Sequence, residues 1–243
     1  MGPVAVALLG ALLAGHAVPA AVPDFAPRTR ARHLAPGRIL VASPKVYGPI
    51  FSQSAVLLLE YSAEGALGLV INRPSDIPLT RLLPDEKALV GRSDVAWVGG
   101  PVGRDTLWVL LRAAPPSGES KGVVDGIHST TSLATLRAAL EAGTPSSGIR
   151  AYVGYAGWAP RQLDDEVTRG DWYIDRGAAE WIFERDAAEV WPTLIERNAG
   201  LRARGPRQRV PTTYAIQAGS SGAWLRRVKM PFPSSFLGSV PSQ

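Results

Sequence analysis

The stretch 56–74 constrains the fold of this chain more than any other, because it predicts a buried β-hairpin. Residues 56–59 form an unbroken apolar run, which is typical of a strand buried on both faces. Residues 62–65 are small and polar, which suits a tight turn, and residues 67–71 form a second apolar run. Pro74 cannot donate to a sheet and ends the pairing. A hairpin this apolar has to be covered by the rest of the chain.

Gly68 lies inside the second strand of this hairpin. A glycine at such a position indicates that either another backbone or a ligand approaches closely there. We favour close packing as the explanation. A larger side chain at this position would then have to displace packed neighbours.

The remaining patterns predict short strands in pairs and triplets, with helices between them. The predicted strands are 38–42, 95–98, 107–111, 122–128, 149–155 and 172–174, and the predicted helices are 79–83, 133–142, 162–169, 178–184 and 187–198. Ser132 is a suitable N-cap for the second of these helices, and Gly143 is a suitable stop. This order favours a single α+β domain with a mostly antiparallel sheet over a doubly wound parallel one.

Three blocks of sequence resemble the signature of the bacterial YqgE/AlgH family, in that family's order and at about its spacing. The blocks are Gly65-Ala66-Leu67-Gly68-Leu69-Val70-Ile71-Asn72-Arg73-Pro74, Gly99-Gly100-Pro101-Val102 and Gly154-Tyr155-Ala156-Gly157-Trp158. The resemblance covers residues 37–198. It implies a compact α+β domain whose sheet is partly rolled and whose helices pack on its outside. The family is largely uncharacterised, and its members are often described as transcriptional regulators.

Four segments of the chain differ in composition and charge. Residues 1–21 contain an apolar run followed by small residues, which is typical of a signal peptide, although no Lys or Arg precedes the run. We interpret residues 22–37 as a Pro/Ala/Arg linker and residues 38–198 as the YqgE/AlgH-like domain. Residues 199–243 are interpreted as a basic, flexible tail. Export to the periplasm or medium follows if the first segment is a signal peptide. The alternative is a cytoplasmic protein with an apolar N-terminal extension.

The net charge of +5 comes from the two ends of the chain. Residues 39–198 contain 15 Lys and Arg against 20 Asp and Glu, whereas residues 199–243 contain 7 basic residues and no acidic one. An acidic domain does not support direct DNA recognition. The tail is interpreted as a solvated extension, with weak contact to a polyanion or a membrane surface as the alternative.

Two corners of the predicted domain carry candidate ligand-binding residues. Asn72 and Arg73 lie where the second hairpin strand ends, and Arg73 suits an anion, the carboxylate of Glu60, or backbone carbonyls in a purely structural role. The second corner is interpreted as a strand, a glycine turn and a helix, a place where exposed N–H groups favour an anion. A well-packed corner is the favoured alternative there. The candidate residues are Asn72, Arg73, Gly99, Gly100, Tyr155, Gly157, Trp158, Gln162 and Glu166.

Spacing and family comparison add detail to the second corner. If its residues are helical, Trp158, Gln162 and Glu166 recur on one helix side. In the resembling family this block usually reads Gly-Tyr-Ala-Gly-Trp-Gly-Pro-Gly-Gln-Leu-Glu. Here Ala159 and Arg161 replace two glycines, which argues against a glycine-dependent phosphate cradle. The acidic runs 164–166 and 85–86 are interpreted as solvated faces.

Several kinds of chemistry lack their sequence signatures. There is no cysteine, which excludes disulfides, thiol nucleophiles and cysteine metal sites. The histidines are few, and His128 is interpreted as a hydrogen-bonded sheet residue rather than a base. No motif for a nucleophile elbow, a transition metal or a nucleotide is present, so we expect neither a metal nor a cofactor.

Two functions remain open at this point. The first is a non-enzymatic binding or regulatory protein that acts through a protein or a small-molecule partner. The second is an enzyme whose cleft is formed by the Asn72/Arg73 corner and the Trp158/Gln162/Glu166 corner. The two are distinguished by whether these side chains converge on one solvent-reachable pocket or serve separate structural roles.

Overall fold

One curled sheet of ten strands organises residues 31–199, the part of the chain that this computed structural model describes. The strands are β1 (Arg38–Ala42), β2 (Ala55–Ser62), β3 (Gly65–Val70), β4 (Pro74–Pro78), β5 (Val95–Val98), β6 (Val102–Leu111), β7 (Lys121–Val124), β8 (Ile127–Thr130), β9 (Ile149–Trp158) and β10 (Trp172–Arg176). The predicted signal segment, the first part of the predicted linker and the tail beyond residue 199 lie outside the described residues.

Helices are short, and the longest follows the last strand. They are α1 (Leu79–Leu82), α2 (Leu133–Glu141), α3 (Gln162–Arg169) and α4 (Ala187–Ala199), with 3₁₀ turns at Ala31–His33, Lys87–Leu89 and Ser146–Gly148 and a π-helical turn at Glu180–Glu184. As predicted, the Ser132 hydroxyl caps α2 by accepting from the Thr135 N–H at 3.3 Å, and Gly143 follows its end. None of the helices within residues 31–199 is both long and apolar enough to cross a membrane.

The predicted hairpin is confirmed as the pair β2–β3, joined by two residues. Val56 pairs with Val70 and Ser62 with Gly65, and residues 55–59 are almost completely buried. The other edge of β3 pairs with the end of β9, where Gly68 lies opposite Ala156. Strand β3 therefore lies inside the sheet, which explains its continuous apolar sequence.

Strand β9 is the centre of the sheet, although it is one of the last strands in the sequence. It pairs with β6 along one edge, and with β5 and then β3 along the other. The strand order is β10-β1-β2-β3-β9-β6-β8-β7, with β4 and β5 beside β9. Neighbouring strands are antiparallel except β5 and β9, which confirms the predicted α+β fold with a mostly antiparallel sheet.

The sheet is rolled into a half-barrel, as the resemblance implies. Its outermost strand β7 returns to the region where β1 begins and β10 ends. The Lys121 Nζ atom lies 3.1 Å from a carboxylate oxygen of Glu60, and Arg176 Nη2 lies 3.6 Å from Asp125 Oδ1. Rolling lets one covering layer bury one side of most strands.

Apolar residues on the two faces of the sheet form separate clusters. One face packs Leu57, Leu69 and Tyr152 against the π-helical turn and α4. The opposite face is covered by α1 and α2 over β5, β6 and β9, and by α3 over β1, β2 and β3. Both faces of the central strands are thus buried, as their sequences predict.

Three sequence predictions need correction. Residues 122–128 are not one strand, because Asp125 and Gly126 both have positive φ and form a two-residue turn between β7 and β8. Strands β6 and β9 are longer than predicted and extend to Val102 and Trp158. The segment predicted as a helix at 178–184 is instead a single π-helical turn, in which the Arg185 N–H donates to the Glu180 carbonyl at 3.0 Å.

Gly68→Val is expected to destabilise the protein, because a Cβ atom at Gly68 would lie 2.8 Å from the Leu57 carbonyl oxygen and from Val56 Cγ1. Overpacking of this kind costs about 1–3 kcal/mol. Gly122→Val is the matched control, since Gly122 lies in the edge strand β7 with no atom within 4 Å of its Cβ position. Denaturant unfolding of both variants gives the comparison, and equal midpoints would contradict the packing described here.

Candidate functional site

The Glu166 carboxylate connects α3 to two strands of the sheet. Its Oε2 atom accepts from the indole N–H of Trp158 at 2.9 Å and from that of Trp172 at 2.8 Å. Its Oε1 atom accepts from the Gln162 side-chain amide at 3.0 Å. Three donors from β9, β10 and α3 thus share one carboxylate, and both of its oxygens accept hydrogen bonds that hold these elements together.

Aromatic rings surround this carboxylate. The rings of Trp158 and Trp172 meet edge to face with centroids 6.2 Å apart, and Phe51 packs 6.4 Å from the first and 5.9 Å from the second. Edge-to-face contacts of this kind add to the energy gained from burial. Within residues 31–199, Glu166 is the acceptor of both indole N–H groups, so the carboxylate fixes both rings.

The predicted glycine turn before α3 is wrong. Gly157 and Trp158 belong to β9, so Trp158 does not continue the helical face of Gln162 and Glu166, although its indole reaches Glu166. The Ala159 N–H donates to Gln162 Oε1 at 3.0 Å. Arg161 occupies the N-cap in a left-handed conformation with φ of 66°. The Gln162 side chain thus fixes the residue two positions before the N-cap, whereas the Arg161 side chain makes no capping hydrogen bond.

The first residues of α3 form a second link to the hairpin. The Tyr61 hydroxyl donates to Asp164 Oδ1 at 2.8 Å. Burial and this hydrogen bond to a carboxylate raise the pKa of Tyr61 to about 12. The interpretation of residues 164–166 as a purely solvated face was therefore wrong for Asp164 and Glu166, whereas Asp165 is exposed.

Asn72 and Arg73 are both buried and bind the chain that leads into β2. Asn72 Oδ1 accepts from the Ala55 N–H, and its amide donates to the Gln53 carbonyl, both at 3.0 Å. Arg73 donates to its neighbour's carbonyl and to the carbonyls of Ser52 and Gln53. This agrees with the structural alternative for Arg73. The proposed pairing with Glu60 is wrong, because Glu60 binds Lys121 instead.

The two predicted corners are joined through one segment but do not form one open cleft. Arg73 and Asn72 hold the carbonyls of Ser52 and Gln53, while Phe51, one residue earlier, packs on the Trp158 and Trp172 rings. The polar atoms of both corners are directed at protein atoms. The structure brings these residues together as supports of the segment before β2.

The remaining predicted residues lie where the second and third blocks of the resemblance meet. The Gly99 N–H donates to the Val153 carbonyl at 2.9 Å, and the Gly99 carbonyl accepts from Val70 at 2.8 Å. A Cβ atom on Gly100 would overlap the backbone of Tyr155. Burial raises the pKa of Tyr155, and the charge of Asp105 adds to this effect. Here the glycines allow backbone to pack on backbone.

A cleft of about 390 Å³ lies elsewhere, where the parallel strands β5 and β9 begin. Its lining includes Trp97, Phe183, Arg150 and the serines 93, 146 and 147. The Arg150 guanidinium carbon lies 4.9 Å from the centre of the Trp97 ring and 6.0 Å from that of Phe183. This cleft combines one cation, hydroxyl groups and aromatic walls, and it is the candidate site.

Sequence reasoning missed this cleft, although one signal for it was present. Arg150 interrupts an otherwise apolar strand, since Ile149, Ala151 and Tyr152 around it are buried. A lone arginine in such a strand needs a partner or a cleft. Within residues 31–199, no cluster of three acidic or histidine side chains is arranged to hold a metal ion.

A sequence profile described as AlgH-like matches residues 39–202 of this chain. The chain belongs to the AlgH-like family. It is 36% identical over 167 residues to the UPF0301 protein SCO2948 of Streptomyces coelicolor. The aligned region covers 68% of this chain and 86% of that protein. A UPF0301 protein of Anaeromyxobacter dehalogenans is 37% identical over 182 residues, or 70% of this chain and 91% of that protein. The resemblance seen in the three blocks is thereby confirmed.

Two solved structures share this fold. The solution structure of the AlgH protein from Pseudomonas aeruginosa has a TM-score of 0.56 and 26% identity, and covers 76% of this chain and 94% of that one. The crystal structure of protein DIP2367 from Corynebacterium diphtheriae has a TM-score of 0.57 and 24% identity, and covers 73% of this chain and 90% of that one. The AlgH-like family is of uncharacterised function.

Glu166→Gln is expected to lower the free energy of unfolding by about 1–3 kcal/mol, because neutral hydrogen bonds replace charge-assisted ones and the new NH₂ group or the oxygen is turned away from one of the three donors. A glutamine offers one oxygen and one NH₂ group, so it cannot accept from the two indoles and from Gln162 at once. Asp165→Asn is the matched control, because it removes the same charge from the same helix turn at an exposed position. Denaturant unfolding measures both variants. Equal losses would contradict the role assigned to Glu166.

Arg161→Gly is expected to raise the free energy of unfolding by up to about 1 kcal/mol, because a left-handed residue other than glycine pays a steric penalty. Arg161→Ala keeps that penalty and is expected to be near neutral. Arg169→Gly serves as the control, since Arg169 is helical and the same change there should cost about 1 kcal/mol. Destabilisation by Arg161→Gly equal to that by Arg169→Gly would contradict the strained N-cap.

Proposed function

We propose that this AlgH-like chain is a non-enzymatic binding protein that acts through a small ligand or a protein partner. The observation that carries the proposal is the contrast between two sets of polar groups. At the predicted corners, Glu166, Gln162 and Asn72 are already hydrogen-bonded to protein atoms. In the cleft beside β5 and β9, Ser93 and Ser147 line an open volume together with Arg150, which donates only to neutral backbone carbonyls and has no carboxylate partner within residues 31–199. The cleft has room for a ligand, and the corners do not.

The chemistry of the cleft suits retention of a ligand. Ligand sites are typically concave, about 300–1,000 Å³ in volume, and apolar with a few polar groups that fix orientation. This cleft lies at the lower end of that range, with Trp97 and Phe183 as apolar walls. Its size favours a small molecule over a folded protein as the occupant.

The alternative is an enzyme that uses the Asn72/Arg73 and Trp158/Gln162/Glu166 corners. A substrate at Glu166 would have to displace two indole donors and one amide donor. A substrate at Asn72 would have to replace the bonds that hold the segment before β2. Both displacements cost energy that binding would need to supply, so the geometry favours the binding function.

The charge of the domain bears on the regulatory description of the family. Residues 39–198 carry more acidic than basic residues, which favours a small-molecule or protein partner over DNA. We also propose export, on the basis of the apolar run near the N-terminus. An exported copy would influence transcription only indirectly, through what it binds.

The test follows small molecules of a native cell extract over time in the presence of the full-length chain. Binding predicts that compounds are retained up to one equivalent of protein and are released unchanged on denaturation, as measured by mass spectrometry. Catalysis predicts loss of a compound beyond one equivalent, with a product that grows with time. Turnover that disappears in folded Glu166→Gln and persists in Asp165→Asn would establish the enzyme alternative.

A further inference from the structure

The electrostatics of the cleft indicate what kind of ligand it would take. The Nη1 atom of Arg150 lies 3.4 Å from the carbonyls of Ser146 and Ile149, and Nη2 lies 3.3 Å from that of Phe183. These distances are longer than those of typical N–H···O hydrogen bonds. Nε is buried and makes no hydrogen bond within the described residues. The guanidinium is thus held by three backbone carbonyls, which are neutral acceptors and leave its positive charge in place.

No carboxylate of the described residues forms an ion pair with Arg150, and the nearby acids are already paired. Asp94 lines the cleft and accepts from Arg92 Nε at 2.6 Å and from Arg92 Nη2 at 3.3 Å. Glu184, next to Phe183, pairs with Arg112. The positive charge of Arg150 is therefore uncompensated at the cleft, in contrast to the other cations that surround it.

The aromatic wall beside Arg150 positions its guanidinium near the open part of the cleft. The guanidinium carbon lies over the Trp97 ring at 4.9 Å, so a cation–π contact holds the charge at the wall of the cleft. Guanidinium edges bind carboxylate and phosphate groups through two parallel hydrogen bonds. The hydroxyl groups of Ser93 and Ser147 line the same cleft. These groups suit an oxyanion head group.

The π-helical turn supplies one wall. It spans Glu180–Glu184, places Phe183 beside the guanidinium and directs its carbonyl at Nη2. Single π-helical turns occur often at functional sites, where they move a side chain out of the regular helical path. The buried side chains of Leu79 and Ile149 lie behind this wall and support it from the core.

We propose that the cleft binds a small organic anion whose carboxylate or phosphate group pairs with the Arg150 guanidinium and whose apolar or aromatic body lies in the open part of the cleft, beside the Trp97 and Phe183 rings. This inference rests on the binding function proposed above and names its ligand class. Arg150 supplies the charge, the serines supply additional donors, and the two rings select a flat or apolar body over a bare inorganic ion.

Benzoate, phenyl phosphate and the uncharged benzyl alcohol are the probes. They are titrated separately into the full-length chain while the indole N–H signal of Trp97, assigned with Trp97→Phe, is followed by NMR. We expect at least one of the two anions to saturate this signal and to bind at least tenfold more tightly than benzyl alcohol. Which of the two binds more tightly distinguishes a carboxylate from a phosphate ligand.

Arg150→Gln is expected to weaken binding of the preferred anion at least tenfold, and Arg150→Lys, which keeps the charge but not the two parallel donors, by less. Arg169→Gln is the control, because that arginine pairs with Asp171 and does not line the cleft. Near-ultraviolet circular dichroism checks that each variant is folded. If Arg150→Gln does not fold, the comparison of anions with benzyl alcohol on the wild-type chain decides.

Equal binding of benzyl alcohol and both anions, no response of the Trp97 signal to either anion, or unchanged affinity in folded Arg150→Gln would overturn the inference. These failures are distinct from failure of the binding function. Retention of extract compounds without anion binding would leave the proposed function intact and remove only the ligand class. Arg150-dependent anion binding accompanied by turnover would support the ligand class and contradict the non-enzymatic function.

Discussion

Strand β3 is paired along both edges, to β2 on one side and to β9 on the other, and the rest of the structure depends on that double pairing. It brings residues of the first half of the sequence next to residues about ninety positions later. It also leaves no space beside the β3 backbone, which is why a glycine stands at position 68. Once β3 and β9 are joined, β9 leads directly into α3, and the aromatic cluster around Glu166 closes over the same corner.

Charged groups near the ends of β9 have opposite fates. Glu166, in the helix α3 that follows β9, accepts from donors of three elements and works as a structural acceptor. Arg150, at the beginning of the strand, faces carbonyls at long distances and two aromatic rings. A half-buried charge whose donors all come from the protein destabilises the fold when it is removed, whereas a cation without a carboxylate partner retains attraction for an external anion. The presence or absence of partners for the charge thus distinguishes the structural carboxylate of Glu166 from the Arg150 guanidinium of the candidate site.

Local patterns allowed much of the fold to be predicted. The hairpin, the strand Val95–Val98 and the capped helix α2 each depend on residues close in sequence, and the structure confirms them. The Asp125-Gly126 turn was also a local signal, and it was overlooked. The site was harder, because its contacts are not local. Trp172 reaches Glu166 from another strand, and the Phe183 carbonyl faces Arg150 across 33 positions in the sequence. No periodicity within one segment reports such a pairing, so the sequence indicated candidate residues without indicating which were already engaged.

The late position of β9 in the chain has a consequence for synthesis. When a ribosome has produced residues 38–130, strands β3 and β6 exist but their shared neighbour does not, since β9 spans Ile149–Trp158. At this stage β3 and β6 each have one edge whose backbone N–H and C=O groups are unpaired. Such edges are where strands of different chains can associate. The sheet can be completed only after residue 158 has left the exit tunnel, so the unpaired edges of β3 and β6 persist while residues 131–158 are synthesised.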